Sequence, residues 1–193
     1  MIQVEIRRAT SRDIDDLVRI HRECFPEEVL YQVPESYAKR WWSFLLTSDS
    51  VEVYAASVNS EVAGFSTLKI DASAYQRGKK KHKAPFLVRL YTVLVTPKVF
   101  VELVRKFFYR LIPVSNDTTP QNHDNEYSSN CTWIDPTVVS LKYRREGVAR
   151  QLRAYLEKRT IELNREYIVT MVAINNKPSI QTQEKFGSEK FGY

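Results

Sequence analysis

The spacing of apolar residues in the first part of the chain switches between the periods of strand and helix. Val4 and Ile6 alternate with charged neighbours, which predicts a half-buried strand. Thr10 or Ser11 can then cap a helix whose apolar positions recur at helical spacing, and Pro34 precedes a second such run. The elements predicted here are a strand over 3–8, a helix from residue 11, a helix over 35–46 and a hairpin of strands over 51–58 and 62–70.

Residues 75–127 interrupt this patterning and form an insert. Between Pro97 and Pro113, apolar side chains line one helical face and mainly basic ones the other, which predicts an amphipathic helix over 98–111. Two interpretations stay open for its apolar face. It packs on protein, either the domain's own core in a monomer or a homodimer interface, or it rests peripherally on an anionic membrane surface. We favour protein, because most apolar helix stripes in soluble proteins face protein.

The last third of the chain returns to regular patterning around Gly147. Asn164 suits the C-terminal cap of a helix, Pro178 suits the first turn of another, and Gly187 suits its end. The elements predicted here are a strand over 132–141, a helix over 148–163, a buried strand over 167–174 and a short helix over 179–186.

The composition indicates one globular domain over 1–193. Of the 193 residues, 43% are hydrophobic and 27% are charged, which suffices for a single well-packed core. The formal net charge is +6, but the densest basic run, Lys79 to Lys83, falls in a stretch that predicts a solvated loop beside Gly78 and Pro85. We therefore predict an anionic small ligand rather than nucleic acid.

Cysteine and histidine are too scattered to predict a metal site or a disulfide framework. Cys24 and Cys131 stand alone, and the histidines are equally separated. His21 lies on the apolar stripe of the first predicted helix, where we expect it to pack. No apolar run approaches the ~18 residues of a membrane span, and the N-terminus lacks the apolar segment of a secretory signal. The expectation is a metal-free, cytoplasmic protein.

Gly147 carries the most specific chemistry in the sequence. It is one of five glycines and stands between a predicted strand and a predicted helix, in Arg144-Arg145-Glu146-Gly147-Val148-Ala149. A basic turn that opens a helix presents free backbone N–H groups to a phosphate, and glycine lets the ligand approach the backbone. From this local pattern alone, a glycine that merely eases the turn is the alternative.

The spacing Arg-x-x-Gly-x-Ala over 144–149 resembles the coenzyme A-binding motif (Gln/Arg)-x-x-Gly-x-(Gly/Ala) of the GNAT superfamily of acyl-CoA-dependent acetyltransferases. The order of predicted elements is similar to that family over nearly the whole chain. The resemblance implies an α+β fold, a three-layer α-β-α sandwich with a mixed, mostly antiparallel central sheet. The helical insert would separate the third and fourth strands, and the C-terminus would be shortened. This layout is also similar to bacterial members associated with surface-polysaccharide genes.

The same resemblance implies where the cosubstrate, acetyl-CoA, would bind without a metal. The backbone of Thr137, Val138 and Val139 on the fourth strand would hold the pantetheine arm. Asn176 matches an asparagine that contacts this arm in many members. The pyrophosphate would be held by backbone N–H groups from Arg145, Glu146, Gly147, Val148, Ala149 and Arg150.

The implied reaction is direct attack of an amine on the acetyl thioester, helped by a base and by an acid for the leaving thiolate. Asp135 is the candidate base by strand parity, and an Asp-Pro turn at a strand kink is its structural alternative. The family places its acid, a tyrosine, seven residues after the asparagine, where this chain has Gln183, which can only hydrogen-bond.

Two functions follow from this pattern. The first is an N-acetyltransferase acting on a small-molecule or peptide amine, such as an amino sugar or a protein amine. The second is a CoA-binding protein of the same fold with weak or no catalysis, which serves as a binding or regulatory module. The replacement at Gln183 favours the second function.

Overall fold

The structure is a computed structural model that describes residues 2–26, 34–81, 130–172 and 176–189. It contains a five-stranded sheet whose spatial order follows the chain order. The first four strands pair antiparallel and the last pair is parallel. The strands are β1 (Glu5–Arg8), β2 (Val51–Val58), β3 (Glu61–Lys69), β4 (Cys131–Val139) and β5 (Tyr167–Thr170).

Helices cover both faces of this sheet. They are α1 (Ile14–Cys24), α2 (Glu35–Thr47), α3 (Ala72–Lys81), α4 (Val148–Glu162) and α5 (Lys177–Lys185), with short 3-10 turns at Ser11–Asp13 and Leu141–Tyr143. One core cluster lies between the sheet and α1, α2 and α3. A second lies between the opposite face and α4. All eight residues of β2 are buried because both faces are covered. The predicted mixed α+β three-layer sandwich is confirmed.

A capping box starts the first helical segment. The Asp13 carboxylate accepts the Thr10 backbone N–H at 2.7 Å and the Thr10 hydroxyl at 3.1 Å. The Arg7 guanidinium on β1 donates two hydrogen bonds to the same carboxylate, at 2.7 and 2.8 Å. Of the two predicted caps, Thr10 is therefore the one used, and this contact ties β1 to the start of α1. His21 on α1 is buried, as expected, and contacts Trp42 edge-to-face.

The β2–β3 hairpin turns through two residues, so Glu61 is the first residue of β3 rather than part of the turn. Asn59 and Ser60 have φ angles of 49° and 67°. Both central residues are left-handed, as in the turn whose twist matches that of paired strands.

Two sequence predictions are wrong. Lys79, Lys80 and Lys81 end helix α3 and do not lie in a loop. Tyr75 anchors this helix in the core, and Gly78 sits where a Cβ would approach the Phe44 ring to 2.9 Å. That glycine is therefore a packing residue rather than a helix breaker.

Strand β5 is the second correction. It is described as a strand only over Tyr167–Thr170, and its residues are exposed or half-buried rather than buried. Tyr167 is 52% exposed. The reason is that β5 lies at the edge of the described sheet, beside β4 alone.

Several predictions fall outside the described residues. They are the amphipathic helix over 98–111, the rest of the insert after Lys81, and the last residues of the chain, 190–193. None of the helices in the described ranges is long and apolar enough to span a bilayer.

Candidate active site

Strands β4 and β5 pair along only part of β4. The parallel ladder runs from Cys131 opposite Tyr167 to Ile134 opposite Thr170. From Asp135 onward, β4 continues beside β3 but has no strand partner on its other side within the described residues. The side of β4 from Asp135 onward that has no strand partner among the described residues is called the opening here.

A β-bulge marks the same point on the β3 side. Ser66 lies opposite Thr137 and Leu68 opposite Ile134. One residue on β3 therefore separates these pairs, whereas two residues on β4 separate them, so β4 carries the extra residue. The buried Thr67 hydroxyl donates to the Asp135 carbonyl, and the hydroxyls of Ser66 and Thr137 lie 2.8 Å apart. These contacts hold the extra residue in place, and bulges of this kind re-aim side chains beside functional sites.

The Asp135 carboxylate is directed toward the α1–α2–α3 side of the sheet. Its Oδ2 lies 2.8 Å from Nζ of Lys69, the last residue of β3. The Asp135 side chain is 41% exposed, whereas that of Lys69 is only 11% exposed. The Lys69 ammonium also lies 4.7 Å from the centre of the Tyr75 ring. Asp135 is thus both the residue at a strand kink and a carboxylate that is accessible at this kink.

Tyr75 does not compete with Asp135 as a proton acceptor. Burial, reinforced by the nearby Asp135 carboxylate, raises the pKa of Tyr75 to about 12. Its phenol therefore stays protonated at neutral pH.

The turn that follows β4 exposes a row of backbone donors. Arg145 and Gly147 both have left-handed φ angles, of 69° and 83°. The first backbone bond of α4 runs from the Gln151 N–H to the Gly147 carbonyl at 3.1 Å. Backbone N–H groups of residues 145–149 therefore have no acceptor among the described residues, as expected at a helix start.

Gly147 is open on the side where it lacks a side chain. A Cβ placed there would meet no atom within 4 Å. The glycine is required by its backbone angle rather than by a neighbouring atom. The space above it remains available to a ligand that approaches the donors.

Only alternate residues of β4 turn their backbone toward the opening. The Ser140 N–H donates to the Ala63 carbonyl on β3. By the alternation of antiparallel pairing, Val138 also faces β3, whereas Thr137 and Val139 face away from it. Of the three predicted pantetheine contacts, Thr137 therefore presents its backbone groups to the opening. Val139 presents its N–H, because its carbonyl accepts from Cys24 and Arg144.

Helix α1 supports this end of β4 through two residues. The Glu23 carboxylate accepts the Leu141 N–H at 2.8 Å and the Ser140 hydroxyl at 3.1 Å. The Cys24 thiol donates to the Val139 carbonyl at 3.4 Å. These contacts fix the beginning of the turn that leads to Gly147, and no sequence pattern indicated them.

Asn176 and Gln183 lie on α5. Asn176 caps this helix, because its Oδ1 accepts the Ser179 N–H at 3.3 Å. Gln183 is half-buried, and its Oε1 accepts the Ser188 hydroxyl at 3.4 Å. Their contacts with a cofactor stay predictions.

A buried polar network was missed by sequence reasoning. Glu52 on β2 accepts two hydrogen bonds from Arg159 on α4, at 2.8 and 2.9 Å, and one from Tyr54 at 2.6 Å. Burial raises the pKa of the Glu52 carboxyl, but the hydrogen bonds from Arg159 and Tyr54 outweigh it, so the net pKa is lowered. The only sequence signal was a lone acid in an apolar run. The network joins β2 to α4 and lies apart from the opening.

Among the described residues, no group of three or more histidine, cysteine or acidic side chains is placed to hold a metal ion. Neither Cys24 nor Cys131 forms a disulfide.

Comparison with known proteins tests the resemblance to the GNAT family. Residues 115–187 match the model of the Acetyltransferase (GNAT) family. The resemblance to the GNAT family is confirmed. Its narrower form, the layout associated with surface-polysaccharide genes, stays a prediction. The curated proteins contain no match to this chain.

Solved structures of GNAT acetyltransferases share the fold at low sequence identity. AAC(6')-Iy, an aminoglycoside N-acetyltransferase, in complex with a bisubstrate analogue has a TM-score of 0.61 at 13% identity, over 99% of this chain and 94% of that one. An aminoglycoside acetyltransferase from an uncultured soil metagenomic sample, bound to sisomicin, gives 0.59 at 12%, over 98% and 92%. The ribosomal-protein-alanine N-acetyltransferase of Brucella melitensis gives 0.57 at 13%, over 99% and 95%.

Proposed function

We propose that this GNAT-fold protein transfers an acetyl group from acetyl-CoA to a primary amine by direct attack on the thioester. One observation carries the proposal. Within the described residues, the edge of β4 is unpaired from an accessible carboxylate at Asp135 to N–H groups around Gly147 that have no acceptor there. A long anionic cosubstrate with a reactive end fits such a path.

The chain's own geometry orients the cosubstrate. Backbone N–H groups from Arg145 to Arg150 would bind the pyrophosphate at the positive end of the α4 dipole. The pantetheine arm would follow the outward backbone groups of Val139 and Thr137 back along β4. The thioester would then lie at the closed end of the opening, near Asp135. Asn176 would contact the arm from the α5 side.

Asp135 would take the proton from the acceptor ammonium, because its carboxylate is accessible at this end of the path. The amine would then attack the thioester carbon, and the CoA thiolate would leave. Gln183 would offer that thiolate a hydrogen bond but no proton.

The acceptor class is supported by the names of structural neighbours. Two are aminoglycoside acetyltransferases and one is a ribosomal-protein-alanine N-acetyltransferase. We therefore propose a primary amine on a small molecule or a peptide. The second candidate function, CoA binding with weak or no catalysis, is favoured by the amide at Gln183.

Thermal unfolding with acetyl-CoA tests cofactor binding. A ligand at a hundredfold excess over its dissociation constant stabilises the folded state by about 2.7 kcal/mol, or roughly 5–10 °C for a chain of this size. Gly147→Glu should abolish the increase in melting temperature, because its carboxylate would occupy the place of a phosphate and repel it.

Gly187 supplies a matched control. It has a similar left-handed φ of 75°, and a Cβ there also meets no atom within 4 Å. Gly187→Glu therefore carries the same backbone strain and charge but should keep the shift. A shift that survives in Gly147→Glu would rule out this pyrophosphate site.

Catalysis is tested separately by release of free CoA thiol with a panel of amines. Asp135→Asn should reduce thiol release while leaving the acetyl-CoA thermal shift intact. If the parent protein binds acetyl-CoA but releases no thiol with any amine, the second function stands instead of the first.

A further inference from the structure

Lys69 places a primary amine at the carboxylate proposed as the base. Its Nζ lies 2.8 Å from Asp135 Oδ2, and its side chain is 11% exposed. Lysine is almost never this buried unless it is paired. The Tyr75 ring, 4.7 Å away, covers another side of the ammonium. The amine is therefore held in one place.

The position of this amine relative to the thioester rests on the proposed function. The pyrophosphate donors follow β4 in the chain, so the cosubstrate would enter from the Val139 end and its thioester would reach the Asp135 end. Asp135 lies four residues before Val139, or about 13 Å along a strand. Lys69 is bonded to Asp135 at this inner end.

We propose that Lys69 is an internal acceptor, so that the protein acetylates its own Nζ. The Lys69 ammonium gives one proton to the Asp135 carboxylate. The nitrogen lone pair then forms a bond to the acetyl carbonyl carbon, and the carbon–sulfur bond breaks. CoA leaves as the thiolate and is protonated to the free thiol. The nitrogen loses its second proton to become an amide, so the net reaction releases one proton to water.

Acetylation would change the site itself. The amide carries no charge, so the ion pair with Asp135 is lost. The reaction consumes one acetyl group per chain and leaves the Asp135 carboxylate without its internal cation. Asp135 is then available to the ammonium of an external acceptor.

Lys39 on α2 is a matched comparison. Its Nζ also lies 2.8 Å from a carboxylate, that of Asp15, with a second, that of Glu35, at 3.1 Å, but its side chain is 41% exposed. Spontaneous acetylation by dissolved acetyl-CoA favours the accessible amine, which is Lys39. Acetylation within the proposed site favours the buried amine, Lys69.

The experiment incubates the full chain with deuterium-labelled acetyl-CoA and follows both lysines by peptide mass spectrometry. A positioned base typically contributes ~10²–10⁴-fold, so Lys69 should gain label at least about tenfold faster than Lys39. Asp135→Asn should slow labelling of Lys69 and leave that of Lys39 unchanged. Gly147→Glu should do the same, and Gly187→Glu should not.

The outcomes separate this inference from the proposed function. An acetyl-CoA thermal shift without label on Lys69 overturns the internal acceptor and leaves cofactor binding intact. Equal labelling of Lys69 and Lys39, or label on Lys69 that persists in Gly147→Glu, also overturns it. Absence of both shift and label refutes the proposed function together with the inference. Melting temperatures of Asp135→Asn and Gly147→Glu without ligand verify that both variants fold.

Discussion

Asp13 links the stability of the fold to pH. The hydrogen bond from Arg7 is the main cause that lowers the pKa of its carboxyl, and the Thr10 backbone N–H adds to it. Burial alone would raise the pKa of Asp13, but its effect is smaller than that of the hydrogen bonds. The pKa falls from 3.8 to about 2. Asp13→Asn keeps the shape of the side chain and an acceptor for Thr10 but removes the charge.

The sign of the effect follows from this lowered pKa. A carboxyl with a depressed folded-state pKa contributes stability above its unfolded pKa and loses it as pH falls through the folded one. The window is therefore about pH 4 to pH 2. The difference between these two pKa values sets an upper limit of about 2.5 kcal/mol on the contribution to the free energy of unfolding. Arg7 is 42% exposed, so solvent screening reduces the expected contribution to about 1–2 kcal/mol.

Urea unfolding of the parent and of Asp13→Asn measures this contribution. The parent should be more stable by about 1–2 kcal/mol at pH 7, and the difference should shrink steadily as pH falls toward 2. Asp16→Asn is the matched control, because Asp16 pairs with Arg19 at the same 2.7 Å but both side chains are more than 40% exposed. A difference that stays constant down to pH 2.5, or an equal effect of Asp16→Asn, would refute the reasoning.

Three further predictions concern the site and its scaffold. Gln183→Tyr should speed thiol release more at pH 7 than at pH 9, because the CoA thiol has a pKa of about 8.5 and its thiolate leaves unaided at high pH. If the variant is no faster with any amine that the parent acetylates, Gln183 is not at the acid position. Arg159→Met removes two hydrogen bonds from the buried Glu52 carboxylate and leaves the Arg8 ion pair at 3.8 Å as its only salt bridge among the described residues. It should cost about 3 kcal/mol in urea unfolding, partly recovered by adding Glu52→Gln; an unchanged stability would contradict this. Thr67→Val removes the donor to the Asp135 carbonyl and should cost about 1–3 kcal/mol in thermal unfolding, whereas a neutral result would mean that the bulge is held without it.

Local sequence patterns predicted most elements of the fold. The apolar periods placed α2 and the hairpin strands within one residue of their observed bounds. The basic segment around Gly147 predicted a turn that opens a helix, and Gly147 has a left-handed φ of 83° at the start of α4. These features depend on neighbours in the chain, which is why the sequence contains them.

Contacts between distant segments could not be predicted. The bulge at Asp135 depends on how β4 registers against β3, and its ion pair depends on Lys69, which lies 66 positions away. Helix α3 was missed because Gly78 and the lysines after it suggest a loop, whereas its stability comes from Tyr75 in the core. Tertiary packing overrides local preference in such segments.

The pairing of β3 with β4 has a consequence for how this protein can diverge. The chain leaves the sheet at Lys69 and returns to the adjacent strand at Cys131. Doubling the length of a connection of about sixty residues adds only about 0.6 kcal/mol to the entropy cost of closing it. The register of the two strands places Lys69 beside Asp135, and of the connection only Tyr75 on α3 is described in contact with this lysine. Mutation can therefore change the number of residues between Lys81 and Cys131, while natural selection preserves α3 and the strand pair that position the carboxylate and its lysine.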